Sequence, residues 1–156
     1  MAKPARIPAP PMRRFALNLN EALPLVAAAI PHPRRRESLA FDMHYELELG
    51  VVLRGRMRRC WGRQETVLSR GEAWFCGMWE PHGYGIEEAP CEVMVVMFWP
   101  PLLINPLSLE CRGINWLALF AAPPAARPQA TQSNQAEVIR LAETMAEVGR
   151  NVSAGT

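Results

Sequence analysis

The sequence predicts an all-β fold, a sandwich or small barrel followed by one C-terminal helix, on three observations. Short apolar stretches recur between residues 45 and 99, separated by Gly and Pro turns rather than by helical patterns. Within them, Tyr45, Leu47, Leu49, Val51 and Leu53 alternate with other residues, the period-two signature of a half-buried strand. Near the C-terminus, Val138, Leu141, Ala142, Met145 and Val148 fall on one face at helical spacing. The 156 residues make one ordinary domain, and a hydrophobic fraction of 49% is enough for a core.

Residues 1–14 are Pro-rich with few packing groups and are expected to be a flexible tail. The barrel is expected over residues 15–120. Within it, residues 23–26 read as a short strand, and Pro31-His32-Pro33 with Arg34, Arg35 and Arg36 as an extended basic loop. The alternating strand is expected to turn at Gly55, with residues 56–61 as the returning strand of a hairpin. Residues 64–68 form a third strand, Ser69-Arg70-Gly71 a turn, and residues 73–76 a fourth strand. Pro81-His82-Gly83 makes a corner, and residues 92–99 are the strongest strand because Val93 to Phe98 is continuously apolar. Pro100 and Pro101 end that body, and residues 102–120 read as a short helix and another strand. Residues 121–132 are a Pro/Ala-rich connector. A helix is expected over 133–150, with Ser133 as N-cap and Gly149 at its end, packing on the barrel or pairing with its twin in a dimer.

Several function classes are disfavoured. A net charge of +2 is too small to imply nucleic-acid binding. No apolar run approaches the roughly eighteen residues of a membrane helix, and no signal-peptide pattern stands at the N-terminus. Cys60, Cys76, Cys91 and Cys111 are widely spaced without a C-x-x-C pair, which suits reduced thiols. The expected setting is the cytoplasm.

Residues two apart in a strand share a face, so Asp42, His44, Glu46 and Glu48 point one way. They form either the wetted side of an amphipathic strand or the lining of a barrel interior. His82 decides between these: beside His44 and Glu48 it completes a two-histidine, one-carboxylate metal site, with Asp42 as a possible fourth ligand. Such a set suits Zn, Fe, Mn or Ni and leaves coordination positions open. Of the five tryptophans, Trp74 and Trp79 flank this corner and are the candidate pocket walls. Arg54, Arg56, Arg58 and Arg59 read as a solvated hairpin edge, with an anionic partner as the other possibility.

These positions resemble the two motifs of the cupin superfamily, G-x5-H-x-H-x3,4-E-x6-G and G-x5-P-x-G-x2-H-x3-N. His44, Glu48 and Gly55 match the later part of the first, and Gly71 and His82 the frame of the second. Asp42 stands where the first histidine would be, and Gly77, Trp79 and Ile86 replace the proline, glycine and asparagine of the second. The resemblance implies a cupin double-stranded β-helix, a jelly-roll-like barrel.

A second resemblance covers roughly residues 23–150. Glu48-Leu49-Gly50-Val51-Val52-Leu53-Arg54-Gly55, Gly71-Glu72-Ala73-Trp74-Phe75, Glu80-Pro81-His82-Gly83, Phe98-Trp99-Pro100-Pro101 and Pro123-Pro124-Ala125-Ala126-Arg127-Pro128 follow one another as in the N-terminal sensor half of AraC/XylS-type transcription regulators. This implies a domain that binds a small-molecule effector through Asp42, His44, Glu48, Trp74, Trp79 and His82 and forms a homodimer. It would meet DNA only through a helix-turn-helix half absent from this chain. On this reading the chain is not an enzyme. The alternative is a stand-alone metal-dependent cupin enzyme of the dioxygenase or isomerase type. A barrel filled by Trp and Met, with no ligand, is the third.

Overall fold

The computed structural model describes residues 12–104 and 115–154. Seven strands and three helices follow in order: β1 Met12–Phe15, β2 Leu25–His32, β3 Arg36–His44, β4 Leu47–Trp61, β5 Gln64–Ser69, β6 Ala73–Cys76, β7 His82–Phe98, α1 Pro100–Ile104, α2 Trp116–Ala121 and α3 Gln135–Ala154. A 3-10 turn, Pro124–Ala126, interrupts the connector before α3. The fold class is the expected one, an all-β barrel with a C-terminal helix.

Two long strands organise the barrel. The first half of β4 pairs with β6 on one side and the end of β7 on the other; its second half pairs with β5 and the start of β7. β7 in turn pairs with β2 along its C-terminal half and with β3 along its N-terminal half. This arrangement corrects the expected hairpin at Gly55. The chain does not reverse there; β4 runs straight through with register shifts between Val52 and Met57, and Gly55 sits in the bend at φ +74°. A Cβ at this position would lie 2.6 Å from the Glu88 carbonyl oxygen and 2.7 Å from that of Pro90. Glycine is thus needed because β7 passes so close, which is the use of glycine in a bulge rather than in a turn. The corner expected at His82 is likewise the first residue of a 17-residue strand.

The residues of β4, β6 and β7 alternate between two cores. Val52, Trp74 and Val93 join Met57, Leu68, Cys76, Ile86 and Cys91 inside the barrel. Their neighbours Val51, Ala73 and Met94 face outward, with Val96, against Ala142 and Ala146 of α3. Both faces of these strands are therefore covered, which is why Val51 and Val52 are both buried.

Other expectations shift. Residues 12–14 of the expected tail are strand instead, because Met12–Phe15 pairs in parallel with residues 41–44 of β3; residues 1–11, and Cys111, lie outside the described residues. Pro31 and His32 continue β2 against β7 instead of opening a loop. Residues 102–120 contain helix at both described ends, with no strand among the described residues. Helix α3 starts two residues after Ser133, whose hydroxyl lies 2.9 Å from that of Thr131, and it continues past Gly149. Its buried face is also rotated: Ile139, Ala142 and Ala146 are buried, while Leu141 and Val148 are exposed. Small residues let the helix settle onto the sheet, and a Cβ on Gly149 would collide with the Ala27 carbonyl oxygen. Gly149 is a contact point, not a stop.

Candidate metal centre

Three strands bring the predicted ligands together at one end of the barrel interior. Asp42 pairs in register with His82 across β3 and β7, and His44 closes β3. After a bend at residues 45–46, β4 presents Glu48 in register with Cys76 of β6. His44, Glu48 and His82 are all buried, so the polar face of this segment lines the interior and is not a wetted side. The His44 and His82 Nε2 atoms stand 3.4 and 3.6 Å from Glu48 Oε2, and His82 Nε2 stands 2.8 Å from Asp42 Oδ1. The two imidazoles meet edge-on with centroids 4.9 Å apart.

Both rings are held by the backbone. His44 Nδ1 lies 2.9 Å from the Glu46 carbonyl oxygen and His82 Nδ1 lies 2.7 Å from that of Glu80. A carbonyl only accepts, so each Nδ1 carries a proton and donates it. In the neutral tautomer each Nε2 then offers a lone pair to the interior, which is how metal-binding histidines are usually fixed. His44 Nε2 is buried with no hydrogen-bond partner. At His82 two acceptors face each other at 2.8 Å, a spacing that needs a shared proton or a cation. Without a metal, the proton serves: burial works against the charged ring, but the Cys76 sulfur and the Asp42 and Glu48 carboxylates push the His82 pKa up. With Nε2 unprotonated, Asp42 Oδ1 is an orphaned buried acceptor.

Glu48 divides its two oxygens. Oε1 accepts from Trp74 Nε1 at 2.5 Å and Arg59 Nη2 at 2.9 Å, with the Cys76 thiol at 3.7 Å. Oε2 is left facing the two imidazoles. Burial alone would raise the Glu48 pKa; the Arg59 guanidinium and the two neighbouring imidazoles outweigh it and hold the carboxyl well below its ordinary range. Arg59 is itself clamped, its guanidinium 4.6 Å from the Trp74 ring and 5.9 Å from the Trp61 ring.

The donors suit a divalent metal. Asp42, His44 and His82 offer ligand atoms within 4.8 Å of one another, and so do Glu48, Cys76 and His82. Two imidazoles with hard carboxylate oxygens fit Zn, Fe, Mn or Ni, and the orphaned acceptors at His44 and Asp42 are the atoms such an ion would satisfy. A cavity of about 200 Å³ adjoins the site, lined by Asp42, Glu48, Arg59, Trp74, His82 and the apolar side chains of β2, β4 and β7.

Of the predicted site residues, Asp42, His44, Glu48, Trp74 and His82 come together here. Trp79 does not: it is 47% exposed at φ +54°, its ring 6.1 Å from Tyr45, and it lines no part of this cavity. Sequence reasoning missed Arg59 and Cys76. Arg59 was hidden in a basic run, yet it shares the strand parity of buried Met57, whereas Arg54 and Arg56 are exposed. Cys76 carried no motif, and only the register of β4 against β6 places it beside Glu48.

No family model and no curated protein matches the chain. Several solved structures are similar to it. HppE in its FeII form is 23% identical, with a TM-score of 0.45 over 49% of this chain and 44% of that one. An oxalate decarboxylase variant from Bacillus subtilis is 18% identical, with a TM-score of 0.42 over 48% of this chain and 21% of that one. KdgF from Halomonas sp. is 19% identical, with a TM-score of 0.44 over 48% of this chain and 69% of that one. The chain spans under half the length of HppE. These matches concern overall architecture at most, and the chemistry rests on the residues above. No helix among the described residues is long and apolar enough to cross a membrane.

Proposed function

We propose that the chain is a metal-dependent cupin-type enzyme whose centre is built by His44, Glu48 and His82, with Asp42 as the fourth ligand. The carrying observation is the pairing of oriented rings with unmet acceptors: both histidines donate Nδ1–H to carbonyls, His44 Nε2 is buried without a hydrogen-bond partner, and in the neutral tautomer His82 Nε2 faces Asp42 Oδ1 at 2.8 Å, acceptor against acceptor. A divalent metal bound there would act as a Lewis acid or redox centre toward a ligand in the adjoining cavity. The chain's own residues do the rest. Trp74 and Arg59 hold Glu48 Oε1 and so aim Oε2 at the imidazoles. The Glu46 and Glu80 carbonyls fix the ring tautomers. Met57, Val93, Val95 and Met97 give the cavity beside the site apolar walls.

Titration with cobalt(II), followed by its visible absorption, tests the centre. One equivalent should bind wild type, and affinity should drop by about tenfold or more in Glu48→Gln or His44→Ala. Absence of uptake, or uptake indifferent to both variants, would sink the proposal.

The second reading is the effector-sensing, dimerising domain of an AraC-like regulator. It is favoured by the order of the sequence motifs and by Leu141 and Val148, which stand exposed on α3. There the same residues would anchor an effector, and occupancy would shift the dimer between two arrangements. Ligand binding without turnover, together with a concentration-dependent dimer, would favour it over the enzyme.

A further inference from the structure

We infer that the ligand of this cavity is a small carboxylate monoanion and that Arg59 is the residue that recognises it. The inference rests on the metal reading above and adds the ligand's charge, size and anchoring group.

A guanidinium offers five N–H donors in a planar fork. Arg59 is 3% exposed, and its hydrogen bonds among the described residues both leave from Nη2, to Glu48 Oε1 and the Cys76 sulfur. Its Nε is buried with no partner. A buried donor without an acceptor is costly, and one on a charged group more so. The Trp74 ring 4.6 Å away, the Trp61 ring 5.9 Å away and the hydrogen bonds from Nη2 hold the guanidinium in place before any ligand arrives.

Charge points the same way. The ionisable groups lining the cavity are Asp42, Glu48, Arg59 and His82, with Tyr84 and a His32 whose pKa burial and nearby Arg36 lower. With His82 serving as a neutral ligand, the two carboxylates cancel a divalent ion, and the Arg59 charge is left over. Glu46, the other buried acid nearby, lies outside this lining. A largely buried guanidinium whose charge is left uncancelled favours one negative charge in the cavity.

Size and walls define the rest of the ligand. About 200 Å³ corresponds to roughly seven water molecules at about 30 Å³ each. Ile30, Met57, Val93, Val95 and Met97 offer no polar atoms beyond the backbone and a thioether. A short aliphatic carboxylate, its tail on these side chains and its oxygens shared between Arg59 and the metal, fits both.

Propanoate and its neutral isostere propanamide are the probes, titrated calorimetrically into cobalt-loaded protein, with cobalt occupancy read separately by absorption. Propanoate should bind about tenfold or more tightly than propanamide, and the Arg59 Nε–H resonance of the wild type should shift with propanoate alone. Arg59→Met should lose about tenfold or more in propanoate affinity with cobalt still bound, and Arg59→Lys should lose part of it, because the charge remains without the fork. Equal binding of the two probes, or an Arg59 Nε–H unmoved by propanoate, overturns the inference and leaves the metal centre standing. Failure of cobalt to bind at all is seen in the absorption first, and overturns the metal reading together with this one. The wild-type resonance and probe comparison decide the matter if Arg59→Met does not fold.

Discussion

Replacing Arg59 by methionine removes one half of a buried ion pair, and the loss should depend on whether a metal is present. Arg59 and Glu48 are 3% and 6% exposed and meet at 2.9 Å. Deleting the guanidinium strands a buried carboxylate, a change that costs about 3–5 kcal/mol. Against a total stability of roughly 5–15 kcal/mol, this is severe, and at about 2–4 °C per kcal/mol it lowers Tm by on the order of 10 °C. A divalent ion at the imidazoles also supplies positive charge to Glu48, and it no longer faces a neighbouring guanidinium. If this gain in charge outweighs the lost positioning of Glu48, as expected for a buried carboxylate, the metal binds the variant more tightly than wild type and narrows the stability gap, by about 1.4 kcal/mol for each tenfold gain in affinity at saturation. Urea unfolding of both proteins, with chelator and with saturating zinc, measures the four stabilities. An equal penalty with and without zinc would refute the shared role of Glu48, and a penalty below about 1 kcal/mol in chelator would refute the buried ion pair itself.

Three further expectations follow from the packing. Gly50 lies against the Trp74 indole so closely that a Cβ would overlap the ring; Gly50→Ala should displace Trp74 from Glu48, destabilise by about 1–3 kcal/mol and weaken metal binding, as read by tryptophan fluorescence and metal titration. Arg127 ties the connector to the barrel through the Phe75, Phe120 and Ala122 carbonyls and the Glu80 carboxylate, so Arg127→Met should speed amide exchange in α2 and the connector while leaving metal stoichiometry unchanged. Burial pushes the Cys60 and Cys91 thiols up to about 11, so at pH 8 both should react with a maleimide about a hundredfold more slowly in the native protein than after unfolding.

The candidate ligand positions were legible in the sequence in part because Asp42 and His44 share parity on β3; Glu48 reaches them only through the bend at residues 45–46 that starts β4, and a turn-rich stretch returns the chain to His82. What lay out of reach was set by pairing between distant strands. The register of β4 against β6 puts Cys76 opposite Glu48 and Trp74 opposite Gly50, and no local pattern encodes it. Gly55 and the run from Arg54 to Arg59 look like a hairpin and its charged edge, since a glycine at positive φ serves a bulge and a turn alike. The basic run therefore concealed the one arginine that turns inward. On α3, Val138, Ala142 and Met145 of the expected stripe do pack on the sheet, but close approach adds Ala146 and Gly149 and leaves Leu141 and Val148 exposed.

The central claim is that this barrel holds a metal on its two imidazoles and their carboxylates. Elemental analysis of protein purified without chelator or metal-affinity resin, beside His82→Ala prepared identically, addresses it most directly. Wild type should carry close to one equivalent of a divalent transition metal, and the variant should lose it. Wild-type protein that stays metal-free, even after incubation with excess zinc, iron(II), manganese(II) or nickel(II), would contradict the claim.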